Sequence, residues 1–185
     1  MSPSGGDNDP VAQQTIAPSR VLKRFDGGLH IVTFDPAHRD EFRRLNVAWL
    51  ERYFKVEPID EQVLGNPETE VLAPGGEILF ALLQRQVVGT VGLKVEDGDS
   101  YELTKMAVDE RWLGKGYGQR LLEAAVDLAR ERGKRRVVLY TQTSLKPAIS
   151  LYRKHGFVTL DEPLCGKYSR CNIKMEKVLG PRALT

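Results

Sequence analysis

The run Leu113-Gly-Lys-Gly-Tyr-Gly118 is the part of this chain whose residue types and spacing point most directly to chemistry. Glycine lets a backbone turn tightly and come close to a ligand. The unpaired N–H groups where a helix begins attract anions. A phosphate-bearing cofactor is one reading, and a tight strand-to-helix turn with no ligand is the other; the loop by itself does not separate them. It is not a Walker A loop, because no Lys-Ser/Thr pair follows at the required spacing. Nor is it the dinucleotide Gly-x-Gly-x-x-Gly, since Gln119 stands where the third glycine belongs. The other reactive side chains offer less. Cys165 and Cys171 lack the spacing of a zinc site and any base adjacent in sequence, and His30, His38 and His155 show no metal-ligand spacing, so no metal is expected.

The loop has to be held between a strand and a helix, and the flanking pattern supplies both. Tyr101 to Val108 reads as a strand, and after the loop Leu121, Leu122, Ala125, Leu128 and Ala129 recur at helical spacing until Gly133. Upstream, Leu29 to Phe34 is a strand and Asp35-Pro36 a helix start, with the acid at the N-cap and proline in the first turn. Phe42, Leu45, Val47, Trp49 and Leu50 mark the helix that follows, and a short second helix lies between Asp60 and Leu64. Glu77 to Leu83 and Val87 to Glu96 form a hairpin. Downstream come a buried strand from Arg136 to Thr141, a helix from Lys146 to His155, and two final strands around Phe157 to Leu160 and Tyr168 to Val178. This order is that of an α/β protein with a sheet of mixed pairing.

Three blocks, Glu102-Leu-Thr-Lys-Met-Ala-Val108, Gly114-Lys-Gly-Tyr-Gly-x-x-Leu-Leu122 and Ala148-Ile-Ser-Leu-Tyr-Arg-Lys-His-Gly-Phe157, together resemble the signature motifs of the GNAT acetyltransferase superfamily. The resemblance runs from about Leu29 to Lys177. It implies a GNAT fold: a mixed, mostly antiparallel sheet of about six or seven strands flanked by helices and splayed between the fourth and fifth strands. It also implies acetyl-CoA as co-substrate. The backbone of Met106, Ala107 and Val108 would lie along the pantetheine arm, and amides of Leu113, Gly114, Lys115, Gly116, Tyr117 and Gly118 would hold the pyrophosphate.

Acetylation of an amine needs the neutral form, because an ammonium has no lone pair, so a general base is expected. The resemblance points to Glu102 as that base. Unbroken strand alternation would put Glu102, Thr104, Met106 and Val108 on one face and Lys105 on the other, leaving Lys105 out of the site. About 13 Å separates Glu102 from Met106 at roughly 3.3 Å per residue, so the base is expected to act through a water. Tyr152 matches the tyrosine that protonates the departing CoA thiolate in relatives. Trp49, Tyr53, Phe54, Arg170 and Asn172 are candidate acceptor contacts.

Lys and Arg number 27 against 25 Asp and Glu, too even a balance to indicate a nucleic-acid or membrane partner. Residues 1–20 read as a disordered tail, 21–180 as one acetyltransferase domain and 181–185 as a short tail. With no basic-then-apolar leader evident, the expectation is a cytoplasmic enzyme acting on a small-molecule amine, with a homodimer plausible from sheet edges. The alternatives are a protein lysine or N-terminal acetyltransferase, and a non-catalytic acyl-CoA-sensing module that binds a protein partner.

Overall fold

The computed structural model describes residues 16–162 and 168–180. Of the tail expected at 1–20, residues 1–15 lie outside the described residues, as do the tail expected at 181–185 and Cys165. Ser19 and Arg20 fall inside, and both are bonded to Thr33.

Twelve elements make the domain. In chain order they are β1 (Val21–Arg24), β2 (Leu29–Thr33), α1 (Arg39–Tyr53), α2 (Pro58–Gly65), β3 (Glu77–Leu83) and β4 (Gln86–Val95). Then follow β5 (Ser100–Val108), α3 (Tyr117–Glu131), β6 (Arg136–Thr141), α4 (Lys146–Lys154), β7 (Val158–Leu160) and β8 (Ile173–Val178). The strands form one eight-stranded sheet in the order β1-β2-β3-β4-β5-β6-β8-β7. All pairs are antiparallel except β5 with β6. The sheet has more strands than the six or seven expected; β1 is the strand the sequence reading lacks, a half-exposed edge strand of four residues.

Local chemistry sets the helix starts. Asp35 Oδ1 accepts from Ala37 N at 2.9 Å, capping the turn that leads into α1. Glu57 and Asp60 form a reciprocal capping box on α2, with the Glu57 amide donating to Asp60 Oδ2 at 2.9 Å. Strand alternation then sorts the core into two layers. On β3, Ile78 and Phe80 face α1 and α2 together with Phe42, Leu45 and Leu64, while Leu79 and Ala81 face α3 with Leu121, Leu122 and Leu128.

One irregularity governs the site. Thr90 pairs with Ala107 and Gly92 with Thr104, so Val91 alone opposes Lys105 and Met106. This is a β-bulge, and Lys105 takes φ +52° to make it. The extra residue reverses the alternation that follows. Tyr101 and Leu103 pack on the α3 side, and so do Met106 and Val108, while Ala107 packs on the α1 side. The expectation that Glu102 shares a face with Met106 and Val108 is therefore wrong. So is the exclusion of Lys105, whose ammonium lies on the Glu102 side, over the Tyr168 ring.

The splay falls where expected, the fourth and fifth strands of the sequence reading being β5 and β6. Only Ser100, Tyr101 and Glu102 pair with β6, opposite Arg136, Val137 and Val138. Beyond that point β6 continues with β8 as far as Thr141, and β5 diverges from it.

Gly76 closes the turn before β3, its amide donating to the Val71 carbonyl at 2.9 Å. A Cβ there would press into the backbone carbonyl oxygens of Val71 and Leu93, which cannot swing away as a side chain can. Gly76→Ala is expected to cost about 1–3 kcal/mol, read as a lower denaturant midpoint at unchanged slope.

Candidate active site

The divergence of β5 from β6 opens a cavity of about 810 Å³. Its walls come from the end of α1, the second half of β5, the Asp109–Gly118 loop, the end of β6, α4, and the segment from Tyr168 to Cys171. Of the residues expected at the site, Met106, Ala107, Val108, Leu113, Gly114, Gly116, Tyr117, Gly118 and Tyr152 line it, whereas Lys115 and Glu102 do not.

Two glycines give the loop its shape. Gly114 has φ +75° and Gly116, the N-cap of α3, has φ +78°. Both occupy the left-handed region that side chains resist. The Leu113 amide is already used, donating to the Glu110 carbonyl at 3.3 Å. From Gly114 through Gly118 the amides have no backbone acceptor among the described residues, so the stretch available to an anion is one residue shorter than expected. Lys115 is exposed beside this stretch and away from the cavity wall. Arg111 is drawn back onto Asp109, with Nε to Oδ1 at 3.0 Å and Nη2 to Oδ2 at 2.9 Å, and these bonds hold the Asp109 carboxyl down to about 2.

These features fit a CoA thioester. The amides at the α3 N-terminus suit a pyrophosphate. Beyond Glu102 the β5 edge that faces the gap has no strand pairing among the described residues, and a pantetheine amide can meet backbone there.

Tyr152 stands on α4 at the cavity wall, its ring 5.9 Å from that of Phe157. Burial raises its phenol to about 12, so at neutral pH it stays protonated.

Glu102 sits at the root of the divergence and is 2% exposed. Its Oε1 accepts a hydrogen bond from the Tyr168 hydroxyl at 3.2 Å. Tyr168 does line the cavity, and burial, then the neighbouring Glu102 charge, raises its hydroxyl well above the usual phenol range. Two cations lie over the Tyr168 ring, with Lys105 Nζ at 5.0 Å from its centroid and Arg170 Cζ at 5.1 Å. Both cations end on Asp60, which is fully buried: Lys105 Nζ is 2.6 Å from Oδ1, and Arg170 Nη1 and Nη2 are 2.8 and 2.7 Å from Oδ2 and Oδ1. Arg170 Nη1 also reaches Glu57 Oε2 at 2.6 Å. Burial alone would raise the Asp60 carboxyl, but the bonds from Arg170 and Lys105 outweigh it and pull it to about 2.

Sequence reasoning missed Tyr168, Asp60 and Lys105. A signal for the bulge was present in Gly89 and Gly92, glycines inside an otherwise apolar strand. Nothing local marks Tyr168, which meets Glu102 across 66 positions. Asn172, expected among the acceptor contacts, is instead turned to Thr143, accepting from its amide at 2.9 Å.

A strand-wedge fold with a glycine-built anion loop defines a class of CoA-binding transferase fold, and residues 31–157 match the model of the Acetyltransferase (GNAT) family. The chain belongs to that family. It is 31% identical over 135 residues to a mycothiol acetyltransferase of Clavibacter michiganensis, an overlap of 70% of this chain and 42% of the relative. It is 34% identical over 110 residues to an uncharacterized N-acetyltransferase, YjgM, of Escherichia coli, covering 57% of this chain and 66% of the relative. The chain thus spans about two fifths of the first relative and just under two thirds of the second. Among solved structures, a GNAT acetyltransferase of Staphylococcus aureus superposes with a TM-score of 0.74 at 23% identity, over 82% of this chain and 99% of that one. An acetyltransferase of Salmonella typhimurium, solved with its cofactor acetyl-CoA, superposes with a TM-score of 0.66 at 20% identity, over 85% and 97% of the two chains. Among the described residues no helix is long and apolar enough to cross a membrane.

Proposed function

We propose that this chain moves an acetyl group from acetyl-CoA to a primary amine on a small molecule, by direct attack and without an acyl-enzyme. The observation that carries the reading is the opening of the sheet beyond Glu102 onto the amides of Gly114 through Gly118, which have no backbone acceptor among the described residues. Those amides would hold the pyrophosphate, and the open edge of β5 beyond Glu102 would seat the pantetheine. Glu102 would take the proton that the acceptor must lose, and the Tyr152 phenol would protonate the leaving thiolate. Holding both reactants in one cavity removes the entropic cost of their encounter during the chemical step. The aromatic group Trp49, Tyr53 and Phe54, with ring centroids 5.4 and 5.7 Å apart, walls the acceptor side and supports a compact amine as the substrate.

The cofactor is tested by thermal unfolding with and without acetyl-CoA. At ~100 times its dissociation constant the ligand is expected to add about 2.7 kcal/mol and raise the midpoint by roughly 5–10 °C. Adenine nucleotides without the pantetheine arm should not reproduce that rise. An unchanged midpoint at saturating acetyl-CoA would leave the glycine loop a turn and end the reading.

A further inference from the structure

Glu102 is expected to accept a proton from an amine that it does not face. Its carboxylate is buried at the point where β5 and β6 part, and the side chain next to it on the cavity wall is Tyr168. We propose that the proton leaving the acceptor nitrogen passes through the Tyr168 hydroxyl to Glu102, so that Tyr168 is the residue in contact with the amine. This rests on the acetyl-transfer reading above and replaces the water expected between Glu102 and its substrate.

The geometry suits a relay. The Tyr168 hydroxyl already donates to Glu102 Oε1 at 3.2 Å; the Thr104 hydroxyl donates to its oxygen, which leaves a second lone pair to accept from a group in the cavity. Lys105 and Arg170 hold the ring through its face, at 5.0 and 5.1 Å, and Asp60 fixes both cations. The charged groups around Tyr168 are Glu102 and Lys105 from β5, Asp60 from α2 with Glu57 at its N-cap, and Arg170 from its own segment. Burial and the Glu102 charge keep the hydroxyl protonated, so it works as a carrier and never as a free phenolate.

The step balances. The acceptor ammonium gives one proton to the Tyr168 oxygen as the Tyr168 hydroxyl proton moves to Glu102; an ammonium and a carboxylate become a neutral amine and a carboxylic acid. The amine nitrogen then bonds to the thioester carbon as the carbon–sulfur bond breaks. The thiolate takes the Tyr152 proton, the new amide nitrogen gives up its extra proton to restore Tyr152, and Glu102 returns its proton to solvent.

The test uses the full chain with acetyl-CoA and three primary amines, tyramine, benzylamine and ethanolamine, with thiol release as the readout. Tyr168→Phe is expected to lower kcat about 10²-fold or more, with KM for the amine and the acetyl-CoA thermal shift little changed. Glu102→Gln should lose as much, and the double variant should be no slower than either single one, since both act in one path. The pH profile separates a relay from a packing role: in Tyr168→Phe the rate should climb with pH toward the free-amine limit instead of levelling with the wild type. Losses that multiply in the double variant overturn the relay. So does a Tyr168→Phe protein near wild-type rate beside a slow Glu102→Gln, because water then reaches the carboxylate. Full rates in both single variants overturn Glu102 itself as the base. A wild-type chain stabilised by acetyl-CoA that releases no thiol with any of the three amines overturns the amine-transfer reading, and the relay with it.

Discussion

Asp60→Ala is expected to destabilise the protein by about 3–5 kcal/mol and lower its unfolding midpoint by roughly 6–20 °C. The wild-type carboxylate is fully buried and carries Lys105 and Arg170 at once, with side-chain exposures of 4% and 17% for the two partners. Removing it strands positive charge in low dielectric; Glu57 compensates Arg170 in part and leaves Lys105 without its ion-pair partner. The loss should also depend on pH. The Asp60 carboxyl lies near 2 in the folded chain, below the unfolded value of about 3.9. Its contribution is therefore complete above about pH 4 and is lost as pH falls toward 2. Denaturant titrations across that window should show the wild type and the variant converging from above. A constant gap would mean that Asp60 acts through packing alone, and a gap under about 1 kcal/mol at neutral pH would remove the cluster from the stability argument.

Tyr152→Phe is expected to reduce kcat about 10²-fold or more while leaving acetyl-CoA binding intact. The substitution removes the one proton donor that α4 presents to the cavity wall and keeps the ring against Phe157. Burial raises this phenol, and among the described residues no hydrogen bond to its oxygen contributes, so deleting the oxygen breaks no bond to them. The effect should appear in kcat in steady-state thiol release, and the acetyl-CoA thermal shift should match that of the wild type. A fall in cofactor affinity equal to the fall in rate would instead make the hydroxyl a binding contact.

The glycine loop and Tyr152 were legible in the sequence because each lies within a short contiguous pattern. The loop is a strand, alternating glycines and an amphipathic helix; the tyrosine sits in Leu151-Tyr-x-x-x-Gly-Phe157. The layers were legible for the same reason, since helical and strand periods are local. Trp49, Tyr53, Phe54 and Arg170 also line the cavity as expected, but the surroundings of Glu102 were not legible. Alternation along β5 was read straight through the position where Lys105 adds a residue, and one insertion reverses every later side chain. Asp60 looks like an ordinary acid in the first turn of a helix, and its burial becomes visible only when β5 and the Tyr168–Cys171 segment close over it. The first strand escaped because an edge strand of four half-exposed residues carries too few apolar positions to show a period.

The open sheet has the plan of a two-pronged fork. Its handle is three residue pairs long, from Ser100–Glu102 against Arg136–Val138. One prong carries Lys105, and beside the end of the other runs the segment with Arg170; Asp60 is the tie-bar riveted to both, by contacts of 2.6 to 2.8 Å. A fork with a short handle would flex at its root and admit guests of many widths. With the tie-bar in place the gauge of the mouth is set before anything enters, and a guest must match the opening as built.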